Sequence, residues 1–108
     1  MKKGFRIHEF DNVATLLADA ADEDIQIIGA TIDNPVYCCE PVSYGHKIAV
    51  FDVAANADVV KYGVVIGTAI QAIQAGQWVH LHNCKSQLDE RSGTLDLHTG
   101  SSQDVEYE

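Results

Sequence analysis

Histidines with polar neighbours mark the two ends of one short segment of this chain, which contains five histidines in all. His46 precedes Lys47 at the start of the segment, and His80 and His82 lie two residues apart at its end. An imidazole exchanges protons near neutral pH and is also a common metal ligand. A structural domain has little reason to keep several imidazoles beside apolar strands. We therefore interpret these histidines as a component of an active site.

The pair formed by His46 and Lys47 suits acid–base chemistry on a carboxylate. The lysine would hold the negative charge of the substrate, and the histidine would transfer the proton. Gly45 comes just before them and allows the backbone to turn sharply or to approach a ligand closely. His46 and Lys47 are thus candidate catalytic residues. The alternative is a turn histidine that caps local backbone.

His80 and His82 have the spacing of residues on one face of a β-strand. Val79 and Leu81 would then face the core, leaving both imidazoles exposed to a metal, a substrate or another chain. Two nitrogen ligands alone make a weak metal site, so a third ligand would be needed. We expect His80 and His82 to contribute to metal binding. The alternative is a pair of solvated histidines on a polar strand face.

Three other residues are candidates for substrate binding. Lys61 and Tyr62 form a pair with one cationic and one phenolic side chain, and Asn83 offers a neutral hydrogen-bonding group beside the histidines. Judged alone, Lys61 and Tyr62 are as well explained by a structural role. No role is assigned to His8 or to the fifth histidine. The chain lacks a glycine-rich phosphate loop, a serine nucleophile elbow and a Glu-x-x-His helix.

Short strands are predicted to position these residues. Phe5 to His8 alternates apolar and polar residues and suits an edge strand, while Ile25–Ile28 and Lys47–Asp52 are rich in β-formers. Val13 to Ala18 is compatible with a strand, or with a helix capped by Asp11.

A repeated pattern supports a mostly β fold. Asp52–Val59 and Ala72–Val79 both place an apolar residue before a small turn with Asn or Gly, followed by a valine. A weaker third copy is predicted in Leu17 to Ile25. Repeated strand-turn-strand units of this kind form compact β structures. We expect residues 1–85 to form one β domain and the Asp-, Glu- and Ser-rich residues 86–108 to form an extended acidic arm.

Composition and cysteine count limit the binding partners and the cellular compartment that can be expected. The chain has 108 residues, enough for one small core, and a net charge of −9, which argues against binding nucleic acid or an anionic membrane. We expect no signal peptide and no apolar span that could cross a bilayer. Its three cysteines are Cys38, Cys39 and Cys84. An odd number favours reduced thiols and a cytoplasmic protein, with Cys38 and Cys39 buried.

Several segments together resemble the N-terminal domain of the altronate and galactarate dehydratase family. The small subunit of sulfolactate sulfo-lyase shares much of the pattern. The resemblance covers about residues 5 to 84. The segments that carry it are Ile7-His8, Asp11-Asn12-Val13-Ala14, Leu17-Ala18-Asp19, Gly45-His46-Lys47-Ile48-Ala49, Lys61-Tyr62-Gly63, Ile66-Gly67 and Val79-His80-Leu81-His82-Asn83.

The resemblance implies a SAF-type fold, a β-clip of short strands, fused to or made beside a much larger catalytic domain. Because this chain stops at Glu108, it looks like a stand-alone small subunit. Asn56 stands where the family usually has glycine, but asparagine supports the same turn. The tail from Arg91 is longer than expected for the sulfo-lyase subunit, which favours the sugar-acid dehydratases.

The implied function is a hydro-lyase that removes water from a polyhydroxy carboxylate to give a 2-keto-3-deoxy acid, with this chain inactive alone. The implied partners are a large catalytic subunit, a sugar acid and a divalent metal, iron or manganese, held mostly by that subunit. Exposed short strands also predict a homo-oligomer. The alternatives are the small subunit of sulfolactate sulfo-lyase and a non-catalytic SAF-type carbohydrate-binding module.

Overall fold

A computed structural model describes residues 1–86, and in this range the chain forms strands and turns without a helix. The mostly β prediction is therefore confirmed. The strands are β1 (Lys2–Arg6), β2 (Val13–Leu16), β3 (Glu23–Gly29), β4 (Val36–Cys38), β5 (Lys47–Ala49), β6 (Asp58–Lys61), β7 (Val64–Ala69), β8 (Trp78–Val79) and β9 (Cys84–Ser86).

The strands form two sheets. The larger sheet has the order β4-β3-β1-β2-β5-β8, and the smaller has the order β6-β7-β9. Only β1 and β3 pair in parallel among the strands described; the other neighbours are antiparallel. Because β5 pairs with both β2 and β8, the start of β5 lies beside β8, and this pairing positions the histidines.

Alternation along β3 shows how the sequence builds this sheet. Ile25 and Ile27 are fully buried, whereas the alternate residues Asp24 and Gln26 are exposed. Successive side chains of a strand point to opposite faces, so the isoleucines enter the core while the polar residues face solvent. The isoleucines join one buried cluster with Leu16 on β2, and a second cluster gathers residues of both sheets. Each fully buried isoleucine contributes about 1.5–3 kcal/mol through removal of apolar surface from water.

Three similar turns confirm the predicted repeat and extend it. After Val53 and after Ile73, which bridge each other, the chain makes a turn whose third residue has a positive φ and then enters a strand. The same turn follows Val42. In each copy the closing N–H donates to a carbonyl three residues earlier at 3.0 Å. The residues with positive φ are Gly45, Asn56 and Gly76. The clearest third copy thus follows Val42 rather than lying in Leu17 to Ile25.

Several expectations are corrected by the structure. β1 lies between β3 and β2 and is not an edge strand. Residues 13–16 form strand β2, and Asp11 caps backbone N–H groups of loops and a hairpin turn, not a helix. Cys38 is buried as expected, but Cys39 is exposed because neighbouring residues of an extended chain face opposite ways.

Two other predictions concern the C-terminal arm and membrane-spanning segments. Residues 87–108, nearly all of the predicted arm, lie outside the described residues. Within residues 1–86 there is no helix of the length and apolar character that a membrane span requires.

Candidate functional site

His46 closes the turn that leads into β5. Its backbone N–H donates to the carbonyl of Ser43 at 3.0 Å, and its own carbonyl accepts from the N–H of Leu16 at 2.8 Å. These two bonds hold the residue at the junction of β2 and β5. Its ring is half-buried and therefore remains accessible to a ligand.

His80 and His82 lie in a turn, which corrects the prediction that a strand carries them. Strand β8 ends at Val79, and residues 80–83 turn towards β9. Val79 is buried as expected, but Leu81 is 48% exposed. The alternation of a strand does not continue past Val79, so the two histidines do not share a strand face.

Asn83 shapes this turn through both ends of its amide. Its Oδ1 accepts from the N–H of His80 at 3.0 Å, and its Nδ2 donates to the carbonyl of Trp78 at 2.8 Å. The N–H groups of Asn83 and Cys84 both donate to the carbonyl of His80. Asn83 is 2% exposed. The structure therefore places this candidate substrate-binding residue inside the turn, where its amide satisfies backbone groups.

Trp78 brings the three imidazoles together. Its indole ring lies 4.8 Å from His80 with nearly parallel planes, 5.1 Å from His82 and 5.7 Å from His46, measured between ring centroids. The His46 and His80 rings are 6.0 Å apart, and those of His80 and His82 are 6.5 Å apart. We name His46, Trp78, His80 and His82 the imidazole cluster. It is assembled by pairing of β5 with β8.

Glu40 completes the support of the cluster. Strand β8 is at the edge of its sheet, so the backbone N–H of Trp78 needs a partner outside the sheet. The Oε2 atom of Glu40 accepts this N–H at 2.9 Å. The Sγ of Cys38 in turn donates to the carbonyl of Glu40 at 3.2 Å, and burial raises the pKa of the Cys38 thiol. Within residues 1–86 the indole N–H of Trp78 is buried without a hydrogen-bond acceptor.

Lys47 is the first residue of β5 and is buried, with 7% of its surface exposed. Its backbone pairs with Thr15 on one side and with Val79 on the other. The sequence predicts that Lys47 holds the charge of a substrate carboxylate, whereas the structure buries this residue within the sheet.

Lys61 and Tyr62 lie away from the imidazole cluster. They form the tip of the β6–β7 hairpin, whose strand β6 contacts Asn12 through hydrogen bonds to Val60. Asn12 precedes β2, whereas His46 binds Leu16 at the end of that strand. Four residues of extended chain span about 13 Å. The candidate residues thus fall into two groups at opposite ends of β2.

The cluster offers proton transfer and hydrogen bonding. Neutral imidazole can take or give a proton near neutral pH. Residues 1–86 contain no group of three or more His, Cys, Asp or Glu side chains arranged to hold a metal ion. Two imidazoles of the turn therefore do not make a metal centre within this part of the chain, and a metal would need ligands from elsewhere.

Sequence reasoning missed three supporting residues. Trp78 carried a signal, because it is the single tryptophan of the chain and precedes the two histidines. Glu40 carried none, and Asp11 was signalled only as a helix cap and as part of a family motif, because the roles of both depend on contacts with residues far along the chain.

Comparison with known proteins identifies the family of this chain. The sequence model of the family described as the altronate/galactarate dehydratase SAF domain matches residues 2–87. Altronate dehydratase from Escherichia coli is 43% identical over 86 residues, which cover 79% of this chain and 17% of that protein. Galactarate dehydratase (L-threo-forming) from the same organism is 34% identical over 74 residues, covering 68% of this chain and 13% of that protein.

A third relative is close to this chain in length. The (2R)-sulfolactate sulfo-lyase subunit alpha from Chromohalobacter salexigens is 29% identical over 92 residues, which cover 81% of this chain and 98% of the relative. The chain thus spans less than a fifth of the dehydratases but nearly all of a lyase subunit. The family match extends over the strands and turns that build the imidazole cluster, and the chain belongs to the altronate/galactarate dehydratase SAF-domain family.

Proposed function

We propose that this chain is the small subunit of a sugar-acid dehydratase of the altronate or galactarate type. It works with a separate large catalytic subunit and is inactive alone. The observation that carries the proposal is the convergence of His46, His80 and His82 on Trp78 in a chain of a dehydratase-related family. The domain is too small to surround a sugar acid, so a larger partner must supply the rest of the site.

The reaction removes water from a polyhydroxy carboxylate. The proton on the carbon next to the carboxylate is weakly acidic, so a base must take it while the developing enolate is stabilised. A proton donor then assists the hydroxyl on the next carbon, which leaves as water. The enol product then tautomerises: its carbon gains a proton while the enol hydroxyl loses one, which gives a 2-keto-3-deoxy acid.

Within this scheme the imidazole cluster handles protons and hydroxyl groups. His46 is the acid–base group, because its half-buried ring stands at the accessible junction of β2 and β5. His80 and His82 contact substrate hydroxyls. The buried indole N–H of Trp78 is a donor suited to an oxygen atom of the substrate or of the partner. Lys47 adds positive charge at the position next to His46 in the chain.

We place the divalent ion, iron or manganese, mainly in the large subunit. The described residues do not form a three-ligand site, so the large subunit would supply most of the ligands. The proposed setting is the cytoplasm, and the isolated chain is proposed to form a homo-oligomer.

Reconstitution tests the enzyme proposal. The chain is purified alone, the large subunit is purified alone, and both are combined and assayed with a panel of aldonates and aldarates for 2-keto-3-deoxy acid. Turnover should require both chains, should be lost with a chelator and should return with iron or manganese. Full turnover by the large subunit without this chain would remove the catalytic role.

Sulfolactate sulfo-lyase is the second candidate. It is favoured by one observation, the match to 98% of the length of a sulfo-lyase alpha subunit. The same reconstituted complex is assayed for sulfite release from sulfolactate. Sulfite without any 2-keto-3-deoxy acid would select the sulfo-lyase, and binding of sugar acids without turnover of either substrate would select a non-catalytic carbohydrate-binding module.

A further inference from the structure

The tip of the β6–β7 hairpin forms a second group of hydrogen-bond donors. Lys61 pairs with Val64, and Tyr62 and Gly63 connect them as a two-residue turn. Both connecting residues have positive φ, 62° for Tyr62 and 72° for Gly63. Positive φ at both positions is characteristic of the type I′ turn, which matches the twist of the flanking strands.

Tyrosine is an unfavourable residue at this position. Type I′ turns favour Asn, Asp or Gly at the first connecting position, because these residues tolerate the left-handed backbone. The chain uses Asn56 at one of its other left-handed positions. Tyr62 is 55% exposed, so packing does not explain its presence. Tyrosine disfavours the left-handed backbone that this position requires. Its presence here therefore indicates a function for its phenol side chain.

Asp11 fixes the backbone of the tip. Its carboxylate is 1% exposed and accepts the N–H groups of Tyr62 at 3.0 Å and Gly63 at 2.7 Å. It also accepts the N–H of His8 at 3.0 Å. One buried carboxylate therefore joins the loop that carries His8 to the hairpin that carries Tyr62.

His8 adds a third donor to this tip. Its Nδ1 accepts the N–H of Phe10 at 3.1 Å, so the ring proton of neutral His8 lies on Nε2. The ring packs against Gly63, where an added Cβ would come within 2.9 Å of it. Glycine at this position thus lets the His8 ring lie beside the tip.

We propose that His8, Lys61 and Tyr62 bind a carboxylate group, with Asp11 as their positioning residue. The Lys61 ammonium lies 4.8 Å from the centre of the Tyr62 ring, which holds the lysine over the tip. Ammonium, phenol hydroxyl and imidazole N–H are all donors, and an ionised carboxylate accepts several such bonds. The proposed function places the carboxylate of the reacting sugar acid next to His46, at the other end of β2. We therefore assign the carboxylate at this tip to a side chain of the large subunit, an assignment that rests on the proposed function. A small acid such as gluconate presents the same carboxylate chemistry and serves as a probe.

Binding to the isolated full chain tests this site without any assay of turnover. Backbone NMR spectra of the ¹⁵N-labelled chain are recorded with gluconate and with the uncharged alditol glucitol. Gluconate should shift the signals of His8, Tyr62 and Gly63, and glucitol should not. Lys61→Gln and Tyr62→Phe should each weaken gluconate binding at least fivefold, whereas Lys3→Gln, a matched change at an exposed lysine on β1, should not.

Two further variants separate strain and positioning from simple loss of structure. Tyr62→Asn should raise the melting temperature, since asparagine suits the left-handed backbone, and should abolish the gluconate shifts. A lower melting temperature would overturn the inference from strain. Asp11→Asn, studied below its melting temperature, should weaken gluconate binding while the signal of Ile27 on β3 stays unchanged.

Binding of the large subunit tests whether the carboxylate at this site belongs to that subunit. Suppose that gluconate causes no shifts, but Lys61→Gln and Tyr62→Phe weaken binding of the large subunit tenfold. The site then stands, and its carboxylate belongs to the partner. If neither gluconate nor the large subunit responds to these variants, the proposal is wrong. Failure of the dehydratase assay would not affect either result.

Discussion

The imidazole of His80 lies parallel to the indole of Trp78, with ring centroids 4.8 Å apart and an angle of 11° between the planes. Only Val79 separates the two residues in sequence, and strand β8 ends at Val79. The turn held by Asn83 instead folds the chain back, which brings the imidazole over the indole. The flat contact is therefore a product of the turn.

This contact predicts unequal effects of two histidine variants on stability. His80→Ala should lower the free energy of unfolding by about 0.5–1.5 kcal/mol, the usual value of an aromatic pair beyond its area. His82→Ala should have a smaller effect, because His82 is exposed. Urea denaturation followed by the fluorescence of the single tryptophan gives both values. Equal losses for the two variants would contradict this assignment.

The acid–base assignment predicts a large loss of activity for His46→Ala. Turnover of the reconstituted complex should fall by roughly a hundredfold or more, the scale for removing a general acid or base. The melting temperature should fall only slightly, because the backbone bonds of residue 46 do not involve the ring, which loses only its edge contacts with Trp78 and His80. Gln71→Ala, at an exposed position, serves as the control. Normal turnover with His46→Ala would rule out the catalytic role of this histidine.

Asn83 is predicted to be structural as well as close to the site. Asn83→Ala removes the acceptor of the His80 N–H and the donor to the Trp78 carbonyl. A buried polar group left without its partner costs about 1–3 kcal/mol. Thermal or urea unfolding should show this loss, whereas Asn34→Ala, at an exposed asparagine, should show little. If Asn83→Ala were as stable as the parent chain, the amide would be free for a substrate instead.

The cysteines are predicted to differ in reactivity. Cys39 is exposed and should react first with iodoacetamide, as shown by mass spectrometry of peptides. Cys38 should react slowly in the folded chain, because burial excludes the reagent and raises the pKa of its thiol. Equal labelling of both residues in the folded protein would contradict the burial of Cys38.

The raised pKa of Cys38 also predicts a pH dependence of stability. The folded chain keeps the Cys38 proton at pH values where the unfolded chain loses it. Stability should therefore fall as the pH rises above the ordinary thiol value of about 8.5 towards the raised folded value. Cys38→Ala should reduce this alkaline loss, and Cys39→Ala should not. The comparison is made by urea denaturation between pH 7 and pH 10, a range chosen to span the thiol value.

The sequence predicts the class of fold because the relevant signals are local. The alternation around Ile25 and Ile27 indicates a strand, and Asn56 and Gly76 mark turns that need a left-handed backbone. The combination of motifs around His46 and His80 also identifies the family. Each of these inferences depends on residues that are neighbours along the chain.

Only the tertiary structure decides which candidate residues meet. Pairing of β5 with β8 places His46 beside Trp78, thirty-two positions along the chain. The length of β2 separates this cluster from Lys61 and Tyr62, although the sequence gives no sign of their distance. Burial of Lys47 likewise depends on the strands at both its sides. Spacing along a chain fixes local backbone preference, whereas the register between distant strands fixes which side chains share a site.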